Sequence, residues 1–104
     1  MPRNRIKRNI SCMPTATHFA TIGHHDIIQQ EINLMLDEFE ALRLKDFQCL
    51  DQIKAAEIMG ISQPTFHRLL KDARKKVADA LVNNKIIKIH GGHYKLNEKK
   101  NRNP

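Results

Sequence analysis

The sequence predicts a mainly helical fold: a three-helix helix-turn-helix core, with short extended segments before it and a C-terminal β-hairpin after it. Three observations predict this. An apolar stripe at helical spacing runs from Phe66 to Leu81. Gly60 stands between two helical patterns, four residues after the small side chain of Ala56. Gly91-Gly92 separates two short runs of alternating apolar residues.

Taken in chain order, residues 1–9 ("MPRNRIKRN") read as a basic flexible arm. Residues 10–96 read as a single domain, and 97–104 ("NEKKNRNP") as a disordered tail. Residues 10–25 mix β-branched side chains with Pro14 and Gly23, which suits short extended segments. In "EINLML", Ile32, Leu34 and Leu36 alternate with Asn33 and Met35, as in a short strand; a helix starting at Asp26 is the alternative. The first helix is expected to begin at Asp37, with Glu40 completing a capping box and Phe39, Leu42 and Phe47 on one face. A second helix is expected from Asp51 to Gly60, with Ile53, Ala56 and Met59 on one side. A third runs from Ser62 to about Val82, its apolar side formed by Phe66, Leu69, Leu70, Ala73, Val77, Ala80 and Leu81. Asn83-Asn84 can stop it, because Asn tolerates the left-handed conformation. In "IIKIHGGHYKL", a two-residue turn at Gly91-Gly92 would set Ile89 against Tyr94 and Ile87 against Leu96.

A helix-turn-helix, here about 51–82, constrains several positions at once. Ala56 supplies the small residue where the helices cross, Gly60 the turn, and Ile61 the plug at the corner. Phe66 and Leu69 anchor the second helix, Ser62 caps it, and Pro64 sits in its first turn, where a missing N–H is tolerated. Gln63, Thr65, His67 and Arg68 then project from the half that enters a major groove in such motifs, so they are the candidate base-reading residues. Lys71, Arg74, Lys75 and Lys76 continue the row and are candidate phosphate contacts, joined by Arg3, Arg5, Lys7 and Arg8 of the arm.

Charge supports a polyanionic partner. The 104 residues carry a net charge of +7, with a pI near 9.7. Residues 1–25 hold four basic and no acidic side chains, 26–57 three basic and eight acidic, and 58–104 eleven basic and three acidic. An acidic middle thus separates two basic regions. One Tyr and no Trp argue against an aromatic platform for single strands. Two cysteines are too few for a disulfide scaffold, and no signal peptide or membrane-spanning stretch is recognisable, so a cytoplasmic setting without membrane contact is expected.

"LDEFEALRLKDF…AAEIMGISQPTFHRLLKDARKKVADAL", residues 36–81, resembles the region-four helix-turn-helix of sigma factors. The basic start "PRNRIKR", the "LDEFEALRL" block and "KVADALVNNKIIKI" also resemble an uncharacterised prokaryotic family of predicted DNA-binding proteins, domain of unknown function 134, over most of residues 2–92. The resemblance implies a DNA-binding helix-turn-helix. Cys49 and Asp51 stand where that family more often has a glycine and a Ser or Thr cap, and Pro64 and His67 depart from its commoner residues on the presumed reading surface.

The expected function is sequence-specific binding of double-stranded DNA in transcriptional regulation. A homodimer is a possible form, since one helix-turn-helix reads few base pairs. With about six phosphate contacts, log affinity would fall against log salt with a slope near −5. The hairpin could act as a wing, with Lys88 and Lys95 at the phosphate backbone; alternatively its apolar side (Ile87, Ile89, Tyr94 and Leu96) packs with residues 10–22 as a small sheet, or pairs with a second subunit. Two other functions are weighed: a protein-interaction module docking on transcription machinery through the acidic middle, and structured-RNA binding by the basic face. His90 and His93 could share a metal with Cys12 or His18, but no paired ligand spacing exists and solvated histidines are the simpler reading, so neither metal nor cofactor is expected. Cys49, between Phe47 and Leu50, is expected in the core. No nucleophile–base pairing or phosphate loop suggests an enzyme, and the carboxylates Asp37, Glu38 and Glu40 suit a helix start.

Overall fold

The computed structural model describes residues 7–21 and 29–96. The elements are β1 (Arg8–Ile10), β2 (His18–Phe19), β3 (Glu31–Leu34), α1 (Leu36–Leu42), α2 (Gln52–Met59), α3 (Gln63–Asn83), β4 (Ile86–Ile89) and β5 (Tyr94–Leu96). A π-type turn over Arg43–Phe47 prolongs α1. Part of the expected arm is therefore strand. Arg3, Arg5, the His24-His25-Asp26 segment and the expected tail lie outside the described residues.

The alternation in "EINL" does give a strand, β3. Helix α1 starts earlier than the capping box at Asp37 predicts. Its N-cap is Met35, whose N–H donates to the Glu38 carboxylate at 2.9 Å, and the Leu36 N–H donates to the Gly91 carbonyl. The early start seats Leu36 in the core and moves Asp37 and Glu38 into the buried first turn. Widening at Arg43–Phe47 adds residues to the turn and shifts the register. Leu44 takes the core position, and Phe47, expected beside Phe39 and Leu42, is 74% exposed.

The chain leaves the π turn through Cys49, at φ +61. Cys49 is exposed rather than in the core, and it occupies the left-handed region that favours glycine. Asp51 caps α2, accepting the Lys54 N–H at 2.8 Å. Ala55, Ala56 and Met59 are buried, whereas Ile53 lies about a third of a turn from their centre and is exposed. Gly60, at φ +71, closes α2, and the Ile61 N–H satisfies the Ala56 carbonyl. Strand β1 braces this turn: Asn9 donates to the Ile58 carbonyl, and its amide nitrogen would lie 3.1 Å from a Cβ on Gly60. Ser62 then caps α3, accepting the Thr65 N–H at 3.2 Å. Helix α3 ends one residue beyond Val82, with Asn84 at φ +56.

Two apolar clusters share α3. Ala41, Leu44, Ala55, Ala56, Met59, Phe66, Leu69 and Leu70 join the three helices, with Ile61 packed at their edge. Ile10, Leu34, Leu36, Ala73 and Ile89 join α1 and α3 to the strands. Leu81, expected on the buried stripe, is exposed beyond the second cluster.

Strand β4 is the centre of a three-stranded sheet, antiparallel to β2 and parallel to β3, with Ile87 opposite Phe19 and Ile32. Strand β5 pairs instead with β1, in parallel. The two strands and the positive-φ glycines between them stand where the sequence places them, but each pairs with a different sheet, so Ile89 is not set against Tyr94. Nearby polar groups are taken: the Gly91 carbonyl by Leu36 and the His93 carbonyl by Arg8. The alternative, in which this segment forms a small sheet with residues 10–22, matches the pairing of β2 with β4.

Two substitutions probe this backbone. Cys49→Gly should raise stability by about 1 kcal/mol by relieving a left-handed cysteine. Gly92→Ala should lower it by at least about 1–3 kcal/mol, because at φ +101 its Cβ would lie 2.7 Å from Asp37 Oδ1 and 2.9 Å from Met35 Cβ. Urea unfolding checks both.

Candidate nucleic-acid interface

Phe66, Leu69 and Leu70 hold the underside of α3 in the core. Helical spacing therefore turns Gln63, His67, Arg68, Lys71 and Lys75 outward, and all five are exposed. Thr65 is half-buried and partly occupied. Its hydroxyl accepts from Ser62 Oγ at 2.9 Å and from Arg68 Nη2 at 3.4 Å. The result is a row of donors and cations on a helix fixed from below.

The remaining candidate cations divide. Arg74 makes a two-pronged pair with Asp46, at 2.6 and 3.0 Å. Its hydrogen bonds hold the Asp46 carboxyl below the ordinary carboxylate range, so the pair is ionised at neutral pH while both side chains stay accessible. Lys76 turns away from the row. Its ammonium donates to Glu38 at 2.7 Å and to the Asn33 carbonyl at 2.9 Å. Arg8 is likewise drawn inward: its side chain is 12% exposed and its Nη1 lies 3.8 Å from Asp37. Arg8 and Lys76, expected among the phosphate contacts, are instead committed to buried carboxylates. Lys7 is exposed.

Part of the acidic middle is turned inward, while Glu31, Asp46, Asp51 and Glu57 stay exposed. Asp37, Glu38 and Glu40 are all buried, each opposite a cation from a different element: Arg8, Lys76 and Arg43. Glu40 is fully enclosed, receives two bonds from Arg43 at 2.9 and 3.0 Å, and accepts the Ser11 N–H at 3.1 Å. Those bonds to Glu40 are the main reason the Arg43 pKa is raised. The i,i+3 spacing of Glu40 and Arg43 was the available sequence signal for this pair; the Lys76–Glu38 pair has no local signal, being 38 residues apart.

His90 Nδ1 meets Asn33 Oδ1 at 2.8 Å, and His18 Nδ1 meets Thr17 Oγ1 at 3.0 Å. Among the described residues no group of three or more His, Cys, Asp or Glu could hold a metal ion, and no helix is long and apolar enough to cross a membrane.

The family model described as "Protein of unknown function DUF134" matches residues 1–97. The chain belongs to this family. Relatives occur in bacteria and archaea. A UPF0251 protein of Thermoanaerobacter sp. strain X514 is 43% identical over 102 residues, covering 98% of this chain and 90% of the relative. One of Moorella thermoacetica is 46% identical over 98 residues, covering 92% and 64%. One of Methanosarcina mazei is 47% identical over 91 residues, covering 88% of this chain and 54% of that protein. No solved structure matches.

Removing one partner of the enclosed pair should be costly. Glu40→Ala leaves the Arg43 charge in a site built for an anion and should destabilise by about 3–5 kcal/mol in urea unfolding. Glu31→Ala, on an exposed carboxylate, should change stability by less than about 0.5 kcal/mol.

Proposed function

We propose that this protein binds double-stranded DNA sequence-specifically through α3 and acts in transcriptional regulation. In this reading α2, the Gly60 turn and α3 form a helix-turn-helix of the sigma region-four kind, with the N-terminal half of α3 in the major groove. The observation that carries it is the exposed row Gln63, His67, Arg68, Lys71 and Lys75 on a helix whose opposite side is packed from Phe66 to Ala73. Gln63 suits an adenine edge and Arg68 the O6 and N7 of guanine. Lys71 and Lys75 suit phosphates, which fix register without reading sequence. Thr65 acts chiefly by holding the first turn.

The burial of Asp37, Glu38 and Glu40 counts against docking through those three carboxylates, which are paired inside; Glu31, Asp46, Asp51 and Glu57 stay exposed. For RNA, a helix inserted in the major groove is not an option, since the A-form groove is too narrow.

The deciding experiment is selection from random duplex DNA at near-physiological salt, with the wild type and with Gln63→Ala/Arg68→Ala. A motif that the double variant loses is the expected result. A pool that stays random under salt-sensitive binding would remove base reading, and equal competition by duplex RNA would point to the A-form helix.

Single variants refine this. Arg68→Ala should cost roughly 1–3 kcal/mol on the preferred site and relax specificity. Lys75→Ala should weaken all sequences alike and reduce the salt slope by about 1. With Arg8 and Lys76 engaged internally, about four phosphate contacts remain, so the slope of log affinity against log salt should be near −4. Asp46→Asn, which frees Arg74, should steepen it by about 1.

A further inference from the structure

The two halves of α3 differ in what they expose. The first presents cations. The second presents Ala78, Leu81 and Val82, the last two 77% and 79% exposed. One turn before Leu81, Val77 lines an apolar groove of about 600 Å³ whose walls include Phe19 and Phe47, both exposed. We propose that this surface, the C-terminal half of α3 with the Phe19–Phe47 wall, is the interface between two copies of the chain. The purpose of the pairing rests on the DNA reading above; the surface itself does not.

Charge is the first argument. A chain of net charge +7 repels its own copy, so self-association must use a neutral surface. Residues 77–84 contain one charged side chain, Asp79, and it is paired with Lys85 at 3.0 Å. At the groove, Arg74 is neutralised by Asp46. Area is the second. The exposed parts of Phe19, Phe47 and Leu81, which share one side with Val77, amount to roughly 400 Å², as large as the main apolar patch of a typical monomer, and Val82 extends it at the helix end. That is about half of the ~800 Å² each partner brings to a standard interface.

The third argument is spacing. Thirteen residues separate Arg68 from Leu81, about 20 Å at 1.5 Å per residue. A two-fold axis passing beside Leu81 and Val82 would set the two Arg68 side chains about 40 Å apart if the helices were coaxial. A tilt of about 30° brings this to the ~34 Å between successive major grooves on one face of DNA. Val82 projects in the same direction as Lys71 and Lys75, so the basic row stays open through distance along the axis, about 10 Å to Lys75 and about 16 Å to Lys71 at 1.5 Å per residue.

Sedimentation velocity of the full chain without DNA, at tens of micromolar, tests the interface. Wild type should sediment at twice the 12.1 kDa chain mass. Leu81→Glu/Val82→Glu should halve that mass with an unchanged far-UV circular dichroism spectrum. If the double variant fails to fold, Phe47→Glu, on the groove wall, decides by the same readout. A wild type that stays at one chain mass, or a folded variant that keeps the dimer mass, overturns the proposal. Selection on DNA is scored separately. A mass that halves while no DNA motif emerges upholds the interface and removes the DNA reading; a motif selected by a monomer does the reverse.

Discussion

Three buried carboxylates on one short helix organise the molecule. Asp37, Glu38 and Glu40 sit within the first turns of α1, and each faces a cation from somewhere else: β1, α3 and the π turn. Taking such groups from water is expensive, and the cost is offset only when each finds a charge or hydrogen-bond partner. The requirement fixes three elements against α1 at once. It holds β1 beside Asp37, which places Asn9 over the Gly60 turn. It pulls the middle of α3 onto Glu38 through Lys76. It closes the first residues after β1 over Glu40 through the Ser11 N–H.

The same arrangement redistributes charge. Three carboxylates and three cations are withdrawn together, so the net charge left to the surface is unchanged. Two of those cations are among the ones that composition alone assigns to a nucleic-acid partner. What remains outward on α3 is a short set at its N-terminal half, where Gln63 and Arg68 offer hydrogen-bond geometry and Lys71 and Lys75 offer charge. In the proposed function, a surface with fewer phosphate contacts would depend less on sequence-independent attraction, and base contacts would carry a larger share of the discrimination.

The helical part of the fold was legible in the sequence because its signals are local. Asp51, Gly60, Ser62 and Asn84 each determine a helix end through their own backbone geometry or side chain. The apolar positions of α3 as far as Ala73, and its exposed row, follow from a period of 3.6. The misjudged features depend on distant partners. Met35 rather than Asp37 caps α1 because Leu36 is needed in the core and Glu38 can reach back. Phe47 leaves the core because a π turn alters the spacing, and nothing in "RLKDF" announces that turn. The strand segments at residues 86–89 and 94–96 were visible, but their partners were not: strand pairing is long-range, and β4, half-buried along most of its length, suits a central position between two neighbours. Lys76 and Lys75 are adjacent and chemically identical; only the position of Glu38, brought up by tertiary packing, separates a buried partner from a solvent-facing one.

Helix α3 matters as a rigid object as well as a surface. Its 21 residues contribute Phe66, Leu69 and Leu70 to one apolar cluster and Ala73 to the other, so packing holds the helix across the junction of the two. An isolated helix of this length would fray, whereas one anchored in both clusters transmits position from one end to the other. In the proposed dimer, that rigidity converts a contact at Leu81 into a fixed separation between two Arg68 side chains. Specificity would then have two independent sources: the bases each helix touches, and the spacing between half-sites. The second is set by residues that never meet DNA. A change at Leu81 or Val82 would therefore alter which pairs of half-sites are accepted while leaving recognition of each half-site intact, a separation that base-contacting residues cannot produce.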